Sequence, residues 1–339
     1  MSQPRTTYLL AAIVSFFIGI FTATGAFGQQ LAVLKKIPPE LLRYTGGARP
    51  DAEGLVEDNR GGFRSPEFQR KALWRMIRGI VAGNPTVVED GWRAIDATFR
   101  HQSPDGSFSQ AGSPHGGPSA AALFLADLSE AMLILQESRL ATMYQERIAQ
   151  LRPKLHRTAR WLALPKNQQR LLQHDSDAPN RLLFGALAFG LAGKLTADKE
   201  LEQIGRRFVD LAMAKYRPRD GVFLEKGGHD SSYQAVAAMK LLVWTIHFPD
   251  EKLQSASHKA ICWLRERIDA QGQVDVSGNT RTGLGQERWR ERPKEVNLSE
   301  ITLALLYHYA LTGDNDSLAA ARRVVEARRA KETVGKAED

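Results

Sequence analysis

His229 and Tyr233 stand four residues apart in the segment Glu225-Lys226-Gly227-Gly228-His229-Asp230-Ser231-Ser232-Tyr233. An imidazole or a phenol held against a reacting group can take or deliver a proton in the transition state. At the start of a helix, residues four apart share one face, so a single ligand could meet both. The same residue types have plainer uses, His229 as a helix cap and Tyr233 as core. Glu225 and Asp230 lie beside the pair and are candidates for contacting what it acts on. A second group occupies Ser277-Gly278-Asn279-Thr280-Arg281-Thr282-Gly283-Leu284-Gly285-Gln286-Glu287-Arg288-Trp289-Arg290. Here Asn279, Arg281 and Arg288 offer donors suited to a carboxylate, since guanidinium forks match its two oxygens. Trp289 offers a flat face for stacking. His115, in Gly112-Ser113-Pro114-His115-Gly116-Gly117, and His174 with Asn180 fall in comparable loops. Solvated surface charge is the alternative reading for any one of these cations.

Other chemistries are poorly represented. The eight His are scattered without a His-x-x-x-His pair, and the one cysteine, Cys262, rules out an internal disulfide and a Cys-rich metal cluster. No metal and no cofactor is expected. Gly-rich segments precede apolar helical runs with no strand before them, which excludes a dinucleotide fingerprint.

The elements that must carry these residues read as paired helices. Ser65-Pro66-Glu67 opens a helix to Ala82, and Asn84-Pro85 caps a second to Arg100, Asn and Pro being favoured at N-cap and first position. Further pairs run over 118–136 and 140–164, 180–194 and 198–216, 230–247 and 252–268, and 297–312 and 316–329. No stretch shows sustained alternation between turn signals, so an all-α fold is expected. The first member of each pair is apolar on nearly every side, as in Gln234 to Trp244, and the second is amphipathic, as in Asp198 to Val209. Buried inner helices ringed by amphipathic outer ones describe an α/α toroid, here an incomplete one of about five hairpins. Turns recur at Asp105-Gly106, Asp220-Gly221 and Asp269-Ala270-Gln271-Gly272, giving a repeat of about 50 to 58 residues. The long loops, 102–117, 166–179, 217–229 and 269–296, all join an outer helix to the next inner one. They are expected at one end of the ring, around a cleft.

The chain has 339 residues, a formal charge of +8 and a pI near 9.6, which favours an anionic partner. Arg5, an apolar stretch from Tyr8 to Phe21 and small residues up to Gly28 read as a secretory signal or, if uncleaved, a membrane anchor. The expected organisation is therefore a signal or anchor over 1–28, an N-terminal extension over 29–59, the toroid over 60–331 and a polar tail over 332–339. A periplasmic or secreted monomer is expected. Membrane contact would come only through an uncleaved N-terminal segment, and nucleic acid is not an expected partner.

Asp105-Gly106-Ser107-Phe108-Ser109-Gln110 resembles the Asp-Gly-Ser-Phe turn in the toroidal domains of polysaccharide lyases that act on hyaluronate, chondroitin, xanthan and, more distantly, alginate. Asp220-Gly221-Val222-Phe223, leading to His229 and Tyr233, resembles a second copy. The resemblance covers two turns and the helix layout, about a third of the chain closely. The first copy has Ala111 where the family places His, and the spacing in the second is not the family's. The resemblance implies β-elimination on an acidic, uronate-containing polysaccharide. That reaction removes a proton alpha to a carboxylate, which needs the carboxylate neutralised by Asn, Arg or His and an acid–base pair at the carbon and the leaving oxygen. His229, Tyr233, Arg281 and Asn180 are the residues expected to carry it. His115, His174, Glu225, Asp230, Asn279, Arg288 and Trp289 are expected to hold substrate. Two alternatives stand beside this: a glycoside hydrolase on the same toroid using two carboxylates, and a non-catalytic polysaccharide-binding protein of exopolysaccharide export.

Overall fold

The computed structural model describes residues 29–108, 116–289 and 291–335. Two short helices, α1 (Gln29–Leu34) and α2 (Pro39–Leu42), precede α3 (Arg70–Ala82) and α4 (Pro85–Phe99). There follow α5 (Gly116–Gln136), α6 (Ala141–Leu162), α7 (Pro165–Asp175), α8 (Pro179–Thr196), α9 (Lys199–Met213), α10 (Ser231–His247), α11 (Glu251–Glu266), α12 (Leu298–Thr312) and α13 (Asn315–Gly335). Strand is confined, among the described residues, to two hairpins, β1 (Tyr216–Arg217) with β2 (Val222–Phe223) and β3 (Arg288–Trp289) with β4 (Arg292–Pro293). The fold is all-α.

Five hairpins build an incomplete α/α toroid. Helices α3, α5, α8, α10 and α12 pack side by side in that order, and α4, α6, α9, α11 and α13 each lie on the outside of their own partner. The inner helices are apolar on all sides and buried; in α10 every residue from Gln234 to His247 is buried. The outer ones bury a single stripe, as α9 does with Leu201, Ile204, Phe208 and Ala212. Short polar caps start the helices: Asn84, Asp198, Asp230, Asp250 and Asn297 each accept backbone N–H bonds from the first turn. The inner helices run parallel. Their starts are tied together, Ser119 to Asp175 and Asp175 to Arg181, while their ends meet elsewhere, where Lys194 donates to the His247 carbonyl.

A repeated turn spaces the hairpins. Gly106 follows α4 but lies against α6, and a Cβ built there would sit 2.4 Å from the Arg157 carbonyl oxygen. Gly272 follows α11 and presses in the same way on Arg323 of α13, at 2.1 Å, with φ of +77°. Gly221 on Lys259 of α11 and Gly54 on Arg93 of α4 complete the set. Only glycine permits both the left-handed backbone and that approach. Two of the copies share a buried amide as well: Gln69 joins the Gly54 and Ala94 carbonyls and the Val56 N–H, and Gln234 joins the Gly221 and Ala260 carbonyls and the Phe223 N–H.

Four sequence expectations change. The helix expected from Ser65 begins as a 3-10 turn, Pro66–Gln69, before α3. The long loop expected over 166–179 is largely the helix α7. The last helix continues to Gly335, past the boundary drawn at 331. Residues 29–47, read as part of an extension before the ring, wedge between α12 and α3: α1 packs on α10 and α12, Gly46 lies between Trp74 and Ser299, and Gln30 is buried among Glu130, Tyr307 and His247. The expected signal or anchor at 1–28 lies outside the described residues, and so do residues 336–339 of the expected tail.

Candidate functional site

Asp230 sets the local geometry. Its backbone is extended, and it is fully buried with five donors on its carboxylate: the N–H groups of Ser232, Tyr233, Arg281 and Thr282 and the Thr282 hydroxyl. This pins the loop 275–297 onto the start of α10. Asn279 adds a second pin, accepting from the Ser231 N–H and hydroxyl and donating to the Thr282 carbonyl. Asp230 and Asn279 were expected to touch substrate. Their hydrogen-bonding capacity is instead consumed by the fold.

The pinned loop delivers Arg281 onto the Tyr233 ring, its guanidinium carbon 3.8 Å from the ring centroid. Arg281 is buried between two carboxylates. Its Nη1 donates to Glu225 Oε1, and its Nε and Nη2 fork onto Glu287 at 2.9 and 3.0 Å. The Tyr233 hydroxyl donates to Glu287 Oε2 at 3.0 Å and accepts from Lys294 Nζ, which also bonds Glu287 Oε1 at 3.1 Å. Five side chains, Glu225, Tyr233, Arg281, Glu287 and Lys294, thus form one connected cluster.

Their protonation is set by opposing causes. Burial pushes the Glu225 carboxyl up to about 7 against the pull of Arg281. Burial also pushes the Tyr233 phenol far above its ordinary value, with Glu287 adding to the rise against Arg281, so Tyr233 keeps its proton at any physiological pH. Glu287 is raised by burial but more strongly lowered by Lys294 and Arg281, and stays a carboxylate. Burial lowers Arg281, but the carboxylates of Glu225 and Glu287 outweigh it and the guanidinium is raised on balance.

The cluster borders a cleft of about 800 Å³ at the end of the ring where the inner helices begin. Its lining includes Arg70, Lys71, Arg292 and Lys294, with Glu57, Glu67 and Glu295 as the acids. Lys294 belongs to both cleft and cluster. Beneath the mouth lies a charged axis: Asp127 of α5, fully buried, accepts from Arg70 Nε at 2.7 Å, Trp74 Nε1 at 2.8 Å and Lys240 Nζ at 2.8 Å, and Lys240 also reaches Glu130 at 3.1 Å. Burial raises Asp127, but Arg70 and Lys240 outweigh it and hold the carboxyl low.

The expected His229–Tyr233 dyad does not form. His229 precedes the extended cap residue, so helical spacing does not apply to it. Its ring packs edge-on against Trp263 of α11 with centroids 5.3 Å apart, and its Nε2 lies 3.1 Å from the Ser277 carbonyl. Tyr233 faces Lys294 and Glu287 instead. Arg281 and Glu225 do join Tyr233. Arg288 is exposed and turns back on the Glu291 carbonyl of its own hairpin, and Trp289 lies in β3 opposite Arg292. His174 is exposed at the end of α7, while Asn180 is buried in the first turn of α8 with its Oδ1 unbonded. Neither hydrogen-bonds to the cluster. His115 lies outside the described residues. Sequence reasoning missed Glu287, Lys294 and the axial charges. The axial ones carried a signal, since Asp127, Glu130 and Lys240 stand inside otherwise apolar runs, where buried charge must be paired.

No protein-family model matches the chain, and no curated protein matches it. Among solved structures, one of D-mannose isomerase matches with 11% sequence identity and a TM-score of 0.49, covering 88% of this chain and 86% of that chain.

Proposed function

We propose that the cleft takes an acidic saccharide and that the chemistry is proton transfer at Tyr233, giving β-elimination from a uronate-containing polysaccharide. The observation that carries this reading is Lys294, which lines the cleft with Arg70, Lys71 and Arg292 and bonds behind it to the Tyr233 phenol, itself donating to the Glu287 carboxylate. A phenol so strongly protonated does not begin as a free phenolate. It works as a relay. The proton alpha to the substrate carboxylate moves to the phenol oxygen as the phenol's own proton moves to Glu287. The C–H electron pair becomes the new C=C bond, the C–O bond breaks, and the relay returns a proton to the leaving oxygen. Lys294 stabilises charge that develops on the phenol oxygen. The net positive charge of the chain points the same way.

A specific observation favours glycoside hydrolysis as the second reading. Glu225, raised to about 7, and Glu287, held low, flank the same guanidinium. Two carboxyl groups with separated proton affinities are what an acid and its partner carboxylate require. The test is incubation with a panel of polyuronates and neutral glycans. Elimination gives an unsaturated product that absorbs in the ultraviolet; new reducing ends without that absorbance would replace elimination by hydrolysis. Binding with neither signal would leave a polysaccharide-binding protein.

A further inference from the structure

A second cavity, of about 370 Å³, lies at the far end of α3 from the cleft, where α3 hands over to α4 and the segment after α1 packs beside them. Four cations line it: Lys35, Arg43, Arg75 and Arg78. The rest of its wall is largely apolar and includes Ile37, Leu42 and Val87. No acid lines it, whereas in the cleft three glutamates face four cations. An apolar pocket with a few convergent polar groups is the usual form of a small-molecule site.

The cations are poorly answered by the protein itself. Arg75 reaches Asp90 at 2.8 Å, but Arg93 and Arg49 share that carboxylate at 2.6 and 3.8 Å. Lys35, Arg43 and Arg78 form no ion pair among the described residues. Arg78 is held in place nonetheless. Its Nη1 donates to the Arg43 carbonyl at 2.8 Å, and its Nη2 comes so close to Gly47 that a Cβ there would stand 2.7 Å away. Its Nε and Nη2 have no partner among the described residues, and neither is sealed from solvent. Burial, and then the charge of Arg75, holds the guanidinium below the usual arginine value.

Guanidinium forks match both carboxylates and phosphates. The number of unanswered cations favours phosphate, since a phosphate monoester carries close to two negative charges near neutrality and a carboxylate one. The apolar wall requires that the ester carry a hydrocarbon group, because a bare anion would leave Ile37, Leu42 and Val87 uncovered. The chain reaches α1 from the apolar stretch Tyr8 to Phe21, which makes a membrane lipid the favoured source of such an ester. We propose that this cavity binds an alkyl phosphate, the monoester headgroup of an anionic lipid, with Arg78 as its fixed anchor, Arg43 and Lys35 completing the charge, and the first carbons of the chain on the apolar wall. The site is separate from the cleft, and its test does not depend on how the cleft is read.

The experiment is calorimetric titration of the full chain with hexyl phosphate, and with inorganic phosphate and hexanoate for comparison. Hexyl phosphate should bind at least about tenfold more tightly than inorganic phosphate, a factor that burying about two methylenes supplies. Arg78→Gln should weaken hexyl phosphate at least about tenfold, and Arg43→Gln several-fold. Arg207→Gln, an equal change of charge at an exposed position of α9, should have no effect. Circular dichroism confirms that each variant is folded; if Arg78→Gln is not, Arg43→Gln and Lys35→Gln decide, and unchanged affinity in both overturns the proposal. An equal loss in Arg207→Gln overturns it too, as diffuse attraction. Inorganic phosphate binding as tightly as hexyl phosphate overturns the alkyl assignment, and hexanoate doing so overturns the phosphate. Flotation with phosphatidylcholine vesicles, with and without phosphatidate, then separates the sources. Wild type and Arg78→Gln share the same first 28 residues, so only the pocket differs between them. Phosphatidate should increase flotation of wild type, and Arg78→Gln should lose that increase. An increase that survives in the variant overturns the lipid source and leaves a soluble ester.

Discussion

Replacing Glu225 with Gln should change the pH dependence of stability by an amount the site itself sets. Glu225 is 2% exposed, and its carboxyl ordinarily titrates near 4.5 but is pushed to about 7, by burial first and against Arg281. Below pH 4.5 the group is protonated in both folded and unfolded chains. Between 4.5 and 7 the folded chain keeps a proton that the unfolded chain has released, so stability present at low pH is lost as pH rises through that window. Two and a half pH units at about 1.4 kcal/mol each come to about 3 kcal/mol. Gln at this position still offers an oxygen to Arg281 Nη1 but does not titrate. All other groups are common to the two proteins, so the difference between their unfolding free energies isolates residue 225. Urea unfolding at pH 4.5 and at pH 8 should show the variant gaining about 3 kcal/mol relative to wild type across that range. A wild type that gains on the variant as pH rises would mean that Arg281 outweighs burial and that Glu225 is an ordinary ion-paired carboxylate. A flat difference would mean that it does not titrate in this window. Either outcome removes the acid required by the hydrolase reading.

Tyr233→Phe keeps the ring under Arg281 and removes only the hydroxyl; turnover on a cleaved polyuronate should fall at least about a hundredfold, with binding retained, in steady-state assays. Buried His247 and His308 are lowered from 6.5 to about 3 and about 4, chiefly by desolvation. Each should therefore cost stability as pH falls below about 6.5, and His308→Gln should flatten the acid limb of a denaturation series. Gly272→Ala should destabilise by about 2 to 5 kcal/mol, because it meets the Arg323 carbonyl as well as a strained backbone. Gly285→Ala, with φ of +82° but open space around it, should cost only about 1 kcal/mol, both variants being compared with wild type by thermal unfolding.

The fold was legible because its signal is spread over many residues. Apolar runs such as Gln234 to Trp244 and amphipathic ones such as Asp198 to Val209 mark inner and outer helices without reference to any other part of the chain. The site was legible only in part. Arg281, Glu225 and Tyr233 stand in loop and helix-start segments rich in polar residues, and they do meet. Glu287 and Lys294 looked like solvated charge, because their partners lie 54 and 61 residues away in the chain and only the pins at Asp230 and Asn279 bring the loop over Tyr233. His229 was misplaced for a local reason: one extended residue, Asp230, turns the chain by the width of the cap, and a spacing argument that assumes helix on both sides of a cap fails there.

The Asp-Gly turns teach a different lesson about motifs. Those at Gly106 and Gly221 carried the likeness to toroidal lyases, yet in this molecule each glycine is accounted for by its approach to an outer helix, at Arg157 and Lys259. Asp105 is accounted for as well, since its carboxylate is bonded within the turn to the N–H and hydroxyl of Ser107. A turn that any ring of helical hairpins needs for spacing is evidence of that ring and carries little information about chemistry. Functional weight therefore rests on what the spacing does not require: paired charges on the axis, with Arg70 at the cleft wall among them, and a tyrosine clasped by a lysine and a glutamate. The arginine and the tyrosine stand where the inner helices begin, and the axial charges lie beneath them, midway along α5 and α10. Placing buried ionic groups there costs desolvation that apolar packing would avoid. The arrangement is intelligible if the mouth handles charge, which is the premise that the polyuronate assay above examines.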